Sequence, residues 1–363
     1  MVDKPLQDVP GSPSGQGLAD PLPWGGDRRD FLALAGQGGV GLAALALGLS
    51  GGVGGVAGAA ERDLVARYPW LLALVDEDGF DRSWLNDLLG GLPPYGRVLK
   101  LMDHQAEALP YHKYRKRLIN DRRVNRGRKR MEEERALLKK IESRYGTPAE
   151  ILVALWGVES DFGRNMGRHP VLRSLFTLAT RYPRRAAFFQ EQLRAFLLLC
   201  REEGWHPLTL KGSFAGAMGQ VQMIPSSMRR YAVDFDGDGD KNIFKSRADV
   251  LGSIANYLHG HGWQRGGAYS WSVQKNPALE GMLSPNLSAM YPWKSWQEKG
   301  VRLVSGNAQP DLEAPAALIR LEELHGYRYY MVFENFRVIT RWNRSSRFAM
   351  AVYELSRRFG RNP

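Results

Sequence analysis

The chain has 363 residues, 44% of them apolar, which is enough to bury a large core in one domain or two. Lys and Arg number 50 against 38 Asp and Glu, a formal net charge of +12, which favours an acidic partner such as nucleic acid, anionic lipid or an anionic polymer. Cys200 is the only cysteine, so an internal disulfide is excluded, and its apolar helical surroundings predict a buried side chain.

The first 60 residues predict an export signal. Residues 28–32 read RRDFL and precede a Gly- and Ala-rich apolar run, the outline of a twin-arginine signal, and residues 57–59 read AGA, an Ala-x-Ala cleavage pattern. The many glycines of this run make an uncleaved membrane anchor the weaker alternative. Cleavage near Ala59 would release a chain without a membrane span into the periplasm, and its net charge would be +14 because three cations and five aspartates are removed.

Helical periodicity dominates residues 62–262 and predicts a mainly α (α+β) fold. A charged amphipathic helix ends at Gly146, and the apolar stretch AEILVALWGVE follows it. Thr147, Pro148 and Glu150 fit the N-cap, first and third positions of a capping box that starts this second helix. Three further helices are predicted for PVLRSLFTLATRY, PRRAAFFQEQLRAFLLLCREEG and ADVLGSIANYLHGHG.

The last hundred residues predict a small β element followed by a helix. Residues 264–316 are aromatic and irregular. Residues 317–342 alternate apolar and polar side chains and are interrupted at 325–326 and 334–335, as hairpins would be, so a late β element is expected within about 300–342. The closing helix is predicted at 346–359.

Glu159 stands in the motif WGVESDFG, where the apolar helix ends. Its carboxyl is expected to be protonated near neutral pH because it lies at the negative end of the helix dipole, among apolar neighbours, with no Lys or Arg close in sequence on its face. Such a group can serve as a general acid. Asp161 is two residues away and is expected to point elsewhere, so a reaction needing no second carboxylate is favoured.

Three blocks carry a resemblance to a known family: GVESDFGRNMGRHPVLRSLFTLATRYPRRAAFFQEQL, LKGSFAGAMGQVQMIPSSMRRYAVDFDGDGD and LGSIANYLHGHGW. In content, order and spacing they resemble the lytic murein transglycosylase B family in its soluble periplasmic form, over roughly residues 65–360. The resemblance implies a catalytic region at 61–363, with a lysozyme-like core at about 147–262 and a substrate cleft.

The resemblance also implies the chemistry. The family's single acid/base matches Glu159. This group protonates the oxygen that links N-acetylmuramic acid to N-acetylglucosamine and then takes the proton of the muramoyl C6 hydroxyl, which closes a 1,6-anhydro ring without water. No cofactor is needed for catalysis. A water-using muramidase and a non-catalytic glycan-binding or scaffolding protein of the wall remain alternatives.

Substrate-binding positions carry over from the family one at a time. Ser213 matches the cleft loop GSFAGAMG, and Gln222 matches a polar residue that faces the acid. Aromatic residues that line the sugar subsites match Tyr114 and Tyr257. Where the family has a Tyr-Asn pair and a further Tyr, this chain has Trp342-Asn343 and Phe348, which is expected to remove two hydroxyls from the cleft.

The stretch DFDGDGDKN predicts a structural calcium site. Asp234, Asp236 and Asp238 stand at positions 1, 3 and 5 of an EF-hand-like loop, and Gly239 stands at the turn position 6. Asp240 is a further ligand candidate. Position 12 is a lysine, and the resembling family closes its loop late, which points to Asp249 as the closing ligand. A solvated Asp/Gly turn is the alternative.

The predicted partners are glycan strands of peptidoglycan, whose carboxylates suit a basic protein. Proteins of cell-wall synthesis or division are possible further partners. Nucleic acid is not expected, because the basic run RKRLINDRRVNRGRKR lacks a reading motif and an export signal precedes it.

Overall fold

The computed structural model describes residues 63–103, 109–284, 287, 289–304 and 310–360, so the predicted export signal lies outside the described residues. The predicted mainly α fold is confirmed. The helices are α1 Leu64–Arg67, α2 Leu72–Asp76, α3 Arg82–Gly90, α4 Gly96–Asp103, α5 Tyr111–Leu118, α6 Asp121–Glu133, α7 Arg135–Tyr145, α8 Ala149–Ser160, α9 Val171–Arg181, α10 Ala186–Glu202, α11 Pro225–Tyr231, α12 Arg247–Gly260, α13 Trp293–Glu298, α14 Glu334–Trp342 and α15 Ser346–Phe359. The strands are β1 His169–Pro170, β2 Lys211–Gly212, β3 Ser270–Ser272, β4 Tyr291–Pro292, β5 Pro315–Glu323 and β6 Gly326–Phe333.

Helix α8 is the centre of the main hydrophobic core. Every residue from Ile151 to Ser160 is buried, as expected for a helix that is apolar on all sides. Helices α6, α7, α12 and α15 pack around it. Cys200 on α10 is buried as predicted, and burial raises the pKa of its thiol to about 12. Within the described residues, no helix is both long and apolar enough to cross a bilayer.

The predicted capping box at the start of α8 is wrong. Pro148 is the N-cap residue, with an extended ψ of 140°, and the helix begins one residue later than the sequence pattern places it. No side chain caps this end, and the Thr147 hydroxyl is buried without a hydrogen-bond partner. The fixed φ of proline suits the N-cap here, so Thr147 lies too early to reach the free N–H groups of the first turn.

The four-stranded antiparallel sheet has the order β3-β6-β5-β4. In the β5–β6 hairpin Leu318 pairs with Met331 and Ala317 pairs with Val332. Because side chains alternate between faces, Ala317 and Val332 join the main core while Leu318 and Met331 join a second hydrophobic cluster around Trp293 and Trp296. The sheet is therefore buried on both faces.

The β element differs from the prediction for residues 317–342. It starts earlier in the chain, at Ser270, and residues 334–342 form helix α14 instead of a strand. Along α14 the buried side chains include Phe336, Ile339 and Trp342, which lie one turn apart on one face. This spacing of three outweighs the apparent alternation of ENFRVITRW. The closing helix lies at 346–359, where it is predicted.

The short β1–β2 pair holds the start of the loop after Gly212. His169 pairs with Gly212, and Gly167 lies against the Gly212 backbone with φ of +88°. A Cβ at Gly167 would overlap the carbonyl group of Gly212. Only glycine permits both this left-handed conformation and this close approach of the two chains.

Replacing Gly167 with alanine therefore destabilises the fold in two ways. Left-handed strain costs about 1–2 kcal/mol, and the overlap with Gly212 adds about 1–3 kcal/mol. Gly204→Ala is the matched control, because Gly204 has φ of +65° and nothing within 4 Å of the added Cβ. Urea unfolding of both variants measures the difference. Equal losses of stability would contradict the close approach.

Candidate active site

Glu159 lies in the last turn of α8 and is 6% exposed. Its Oε1 accepts a hydrogen bond from Nε1 of Trp342 at 2.8 Å. The position of Glu159 at the helix end is the one predicted from the sequence. An ordinary glutamate is seldom this buried, so the site holds a carboxyl group away from bulk water.

Trp342 ends α14 and reaches Glu159 across 183 positions of sequence. The tyrosine hydroxyl expected to be missing at this position is therefore replaced by another hydrogen-bond donor, because the indole N–H of Trp342 donates to Glu159. The ring of Tyr257, on α12, meets Trp342 edge to face at 4.7 Å, and its hydroxyl donates to the carbonyl of Arg341 at 2.8 Å. Glu159, Trp342 and Tyr257 thus form one contiguous group.

His261 closes the far side of this group. Its ring stacks on Tyr257 with centroids 4.0 Å apart, and Nδ1 lies 2.8 Å from the Tyr257 carbonyl oxygen. Burial lowers the pKa of His261. A neutral imidazole behind Tyr257 supports that ring by packing. Helix α12 ends at Gly260, within the stretch ADVLGSIANYLHGHG that is predicted to be helical.

A left-handed turn follows Glu159 directly. Residues 161–163 have φ of 54°, 60° and 81°. The Asp161 carboxylate lies 3.1 Å from Nη2 of Arg126, and Arg123 and Arg164 approach it at 3.8 and 3.7 Å. Asp161 is thus occupied by arginines, in keeping with the expectation that it is not a second catalytic carboxylate.

Ser213, predicted for the cleft loop, and Gln222, predicted to face Glu159, are both buried and make hydrogen bonds to backbone groups. Oγ of Ser213 accepts from the Ala217 N–H at 2.9 Å. The Gln222 side-chain amide donates to the carbonyls of Met166 at 3.0 Å and Gly219 at 2.8 Å. Gln222 has φ of 52°, a strained value for a non-glycine residue and one that often marks a functional site. Gln222 therefore ties the loop to the segment after α8.

The remaining predicted subsite residues lie where α5 and α14 meet α15. The guanidinium of Arg347 stands 5.6 Å from the Tyr114 ring centre. Asn343 accepts from the Ser345 N–H at 3.1 Å, and Phe348 is fully buried on α15. Phe348 therefore packs in the core, and Asn343 binds the backbone just before α15 begins. Contact with a sugar stays a prediction for them.

The acidic loop, residues 234–242, and the start of α12 bring part of the predicted ligand set together. One carboxylate oxygen each of Asp234, Asp236 and Asp249 lies within 4.8 Å of the others, an arrangement that could hold a metal ion. Asp238 and Asp240 are outside this group, and each accepts a hydrogen bond within the loop, from the Asp240 N–H and from the Asn242 amide. Asp249, predicted as the late closing ligand, thus lies beside Asp234 and Asp236.

Electrostatics and backbone geometry in this loop suit a bound cation. Gly237 and Gly239 take φ of 80° and 93°, as a sharp oxygen-lined turn requires. Burial raises the pKa of Asp249, and the charges of Asp236 and Asp234 raise it further. A hard cation would relieve this repulsion between carboxylates. Backbone N–H groups, first that of Gly239, lower the pKa of Asp234.

Two features of the site were not predicted from the sequence. Arg123 and Arg126 meet Asp161 from α6, which no local pattern indicates. Gln220, in QVQM, accepts a hydrogen bond through its side chain from Nε1 of Trp156 on α8 at 2.8 Å. The two glutamines of QVQM flank one buried valine, and this spacing is the only local hint that both side chains act in the site.

The family model described as Transglycosylase SLT domain matches residues 69–357. Membrane-bound lytic murein transglycosylase B of Escherichia coli (strain K12) is 39% identical over 295 residues, which cover 78% of this chain and 79% of that protein.

Solved structures agree. Soluble lytic transglycosylase SltB1 from Pseudomonas aeruginosa has a TM-score of 0.75 at 36% identity, covering 80% of this chain and 97% of that one. Escherichia coli Slt35 in complex with calcium has a TM-score of 0.73 at 36% identity, covering 80% and 91%. The resemblance inferred from the three sequence blocks is confirmed: the chain belongs to the lytic murein transglycosylase B family.

Proposed function

We propose that this protein is a peptidoglycan lytic transglycosylase in which Glu159 is the only acid/base. It cleaves the bond between N-acetylmuramic acid and N-acetylglucosamine and leaves a 1,6-anhydro-muramoyl end. The observation that carries the proposal is the arrangement of carboxylates. Glu159 is buried and bonded to Trp342, while the nearest acidic neighbour in the sequence, Asp161, is engaged by arginines.

The reaction is balanced with one carboxyl group. Protonated Glu159 gives its proton to the glycosidic oxygen as the C1–O bond breaks, and the N-acetylglucosamine side leaves as an alcohol. The resulting carboxylate takes the proton of the muramoyl C6 hydroxyl, and the C6 oxygen bonds to C1. Glu159 is protonated again at the end, so no water is consumed and no second carboxylate is needed.

The hydrogen bond from Trp342 gives the two carboxyl oxygens of Glu159 different roles. An indole N–H can only donate, so Oε1 acts as an acceptor towards Trp342 in both ionisation states. The travelling proton is then carried on Oε2. A group that acts first as acid and then as base benefits from this fixed orientation, because the Glu159 carboxyl then needs no rotation between the two steps.

The acidic loop is proposed to bind calcium as a structural ion. Asp234, Asp236 and Asp249 would hold it with carbonyl oxygens of the loop, and Slt35 of the same family is known in complex with calcium. The ion would offset the repulsion between the three carboxylates. It takes no part in the proton transfers.

Calcium should therefore raise the melting temperature. At a concentration about 100 times its dissociation constant, an ion that binds only the folded state adds about 2.7 kcal/mol of stability. Asp249→Asn should abolish the rise, and Asp87→Asn, at an exposed acidic residue of α3, should keep it. Thermal scans with calcium and with chelator measure both. A wild-type chain that is indifferent to calcium would refute the site.

Location and partners complete the proposal. Glycan strands of peptidoglycan are the proposed partner, and relatives of known structure hold NAG-NAM-pentapeptide and NAG-anhNAM-pentapeptide. These strands lie in the periplasm, where a chain exported by the twin-arginine route would meet them. The twin-arginine route, cleavage near Ala59 and protein partners in wall synthesis stay predictions from the sequence.

Glu159→Gln should lower the rate of 1,6-anhydro product formation by about 100- to 10,000-fold, the usual contribution of general acid–base catalysis. The control is Glu150→Gln, which removes a carboxylate from the first turn of the same helix. Mass spectrometry of digested peptidoglycan measures both. Unchanged digestion by Glu159→Gln would favour the non-catalytic glycan-binding alternative and end the proposal.

Trp342→Phe should keep the fold and lower kcat by about 10- to 100-fold, because a hydrogen bond to a charged group is worth about 1.5–3 kcal/mol. The matched control is Trp263→Phe, which removes another buried indole, one that donates to the Gly146 carbonyl at 3.2 Å. Steady-state kinetics should show a loss for Trp342→Phe only. Equal kcat values in the two variants would contradict the role of the indole.

A further inference from the structure

Gln220 connects three segments: the end of α8, the turn that follows it, and the segment after the acidic loop. Its Oε1 accepts from Nε1 of Trp156 at 2.8 Å, and its Nε2 donates to the carbonyl of Phe244 at 2.9 Å. Its backbone N–H donates to the carbonyl of Ile243 at 2.9 Å. One buried residue thus uses its backbone and both ends of its side chain for contacts outside its own loop.

The first of these segments is the catalytic helix. Trp156 lies one turn before Glu159 on α8, so the two side chains share a face of the helix. The Trp156 ring is enclosed further by Phe162 at 5.4 Å and by the Arg130 guanidinium at 5.6 Å. A bond to its Nε1 therefore fixes the rotation of the last turns of α8.

The second segment is the left-handed turn that ends the helix. A Cβ at Gly163 would lie 2.5 Å from Oε1 of Gln220 and 2.7 Å from its Cδ. The Gln220 amide therefore packs directly on the backbone of this turn. Since the turn begins at Asp161, two residues after Glu159, its position sets where the acid side chain starts.

The third segment follows the acidic loop. Ile243 and Phe244 come directly after Asn242, whose N–H donates to Oδ2 of Asp249 at 2.8 Å. Ile243 also packs on Gly219, where a Cβ would lie 2.5 Å from its Cδ1. A displacement of the loop at Asp249 is therefore passed along the backbone to the two carbonyls that hold Gln220.

We propose that Gln220 is a positioning residue that joins the acidic loop to the catalytic helix, so that the loop governs the placement of Glu159. This inference rests on the proposed role of Glu159 as the acid. Gln220 does not touch the reacting atoms. Its effect reaches them through Trp156 and the turn at 161–163, which is a contiguous path of bonds and packed groups.

The test is a double-mutant cycle on kcat, measured with excess chelator so that no variant carries a cation. Gln220→Met keeps the side-chain volume and removes both side-chain hydrogen bonds, and Asp249→Asn loosens the loop at its other end. Gln220→Met should lower kcat by about 10- to 100-fold, the scale expected for misplacement by about 1 Å. KM should change less than about twofold, because the sugar contacts are untouched.

A purely structural role of Gln220 would not make the effects of Asp249→Asn and Gln220→Met on kcat depend on each other. Asp249→Asn should lower kcat in the wild-type background and have no further effect in Gln220→Met, because the path it acts through is already broken. Gln220→Glu is the second variant if Gln220→Met folds poorly. It keeps the acceptor for Trp156 and loses the donor to Phe244, and it should abolish the coupling as well.

Gln274→Met is the control. Gln274 bridges two successive carbonyls in the same way, with its backbone N–H on Arg302 at 2.8 Å and its side chain on Leu303 at 3.1 Å, but it lies at the sheet. It should leave kcat unchanged. Multiplicative losses in the double mutant, or wild-type kcat in Gln220→Met, would overturn the proposal. Full activity of Glu159→Gln would instead overturn the assignment of the acid.

Discussion

The hydrogen bond between Trp342 and Glu159 is the contact on which the site depends. It joins the end of α8 to the end of α14, two helices that are far apart in sequence and meet only in the folded chain. Burying an ionisable carboxyl costs several kcal/mol unless a partner compensates it. The indole supplies that partner without adding a charge, so the acid can be held in a dry position and still change its ionisation state.

The surrounding structure keeps this contact in place from several sides. Tyr257 packs on the indole, and its own ring is supported by His261. Beyond the acid, Asp161 is held by arginines of α6 in a backbone conformation that a free chain would avoid. Strain at 161–163 is tolerated because the core fixes both sides of the turn. The unusual backbone is thus part of what aims Glu159.

Much of the fold follows from local pattern. The continuous apolar run of α8 predicted a helix, and the place of Glu159 at its negative end, among apolar neighbours, predicted a general acid there. The error at 334–342 arose since Phe336, Val338 and Ile339 satisfy alternation and helical spacing over so short a stretch. The capping box failed for a similar reason: the pattern was present, but Pro148 occupies the cap itself.

The site was predictable only in part. Glu159 and the acidic loop stand in short sequence motifs, whereas the donor to Glu159 comes from another helix, at a position where only the loss of a hydroxyl was expected. Gln220, Arg123 and Arg126 act through contacts over tens of residues, which a single sequence does not encode in any local spacing.

In the proposed mechanism, one carboxyl group suffices because no water takes part. This mechanism is tested most directly by digesting peptidoglycan in water enriched in heavy oxygen and weighing the muramoyl ends. The account predicts products lighter by one water than those of hydrolysis, with no heavy oxygen incorporated. Reducing ends that carry heavy oxygen would show that water attacks C1, and the single-acid mechanism would be wrong.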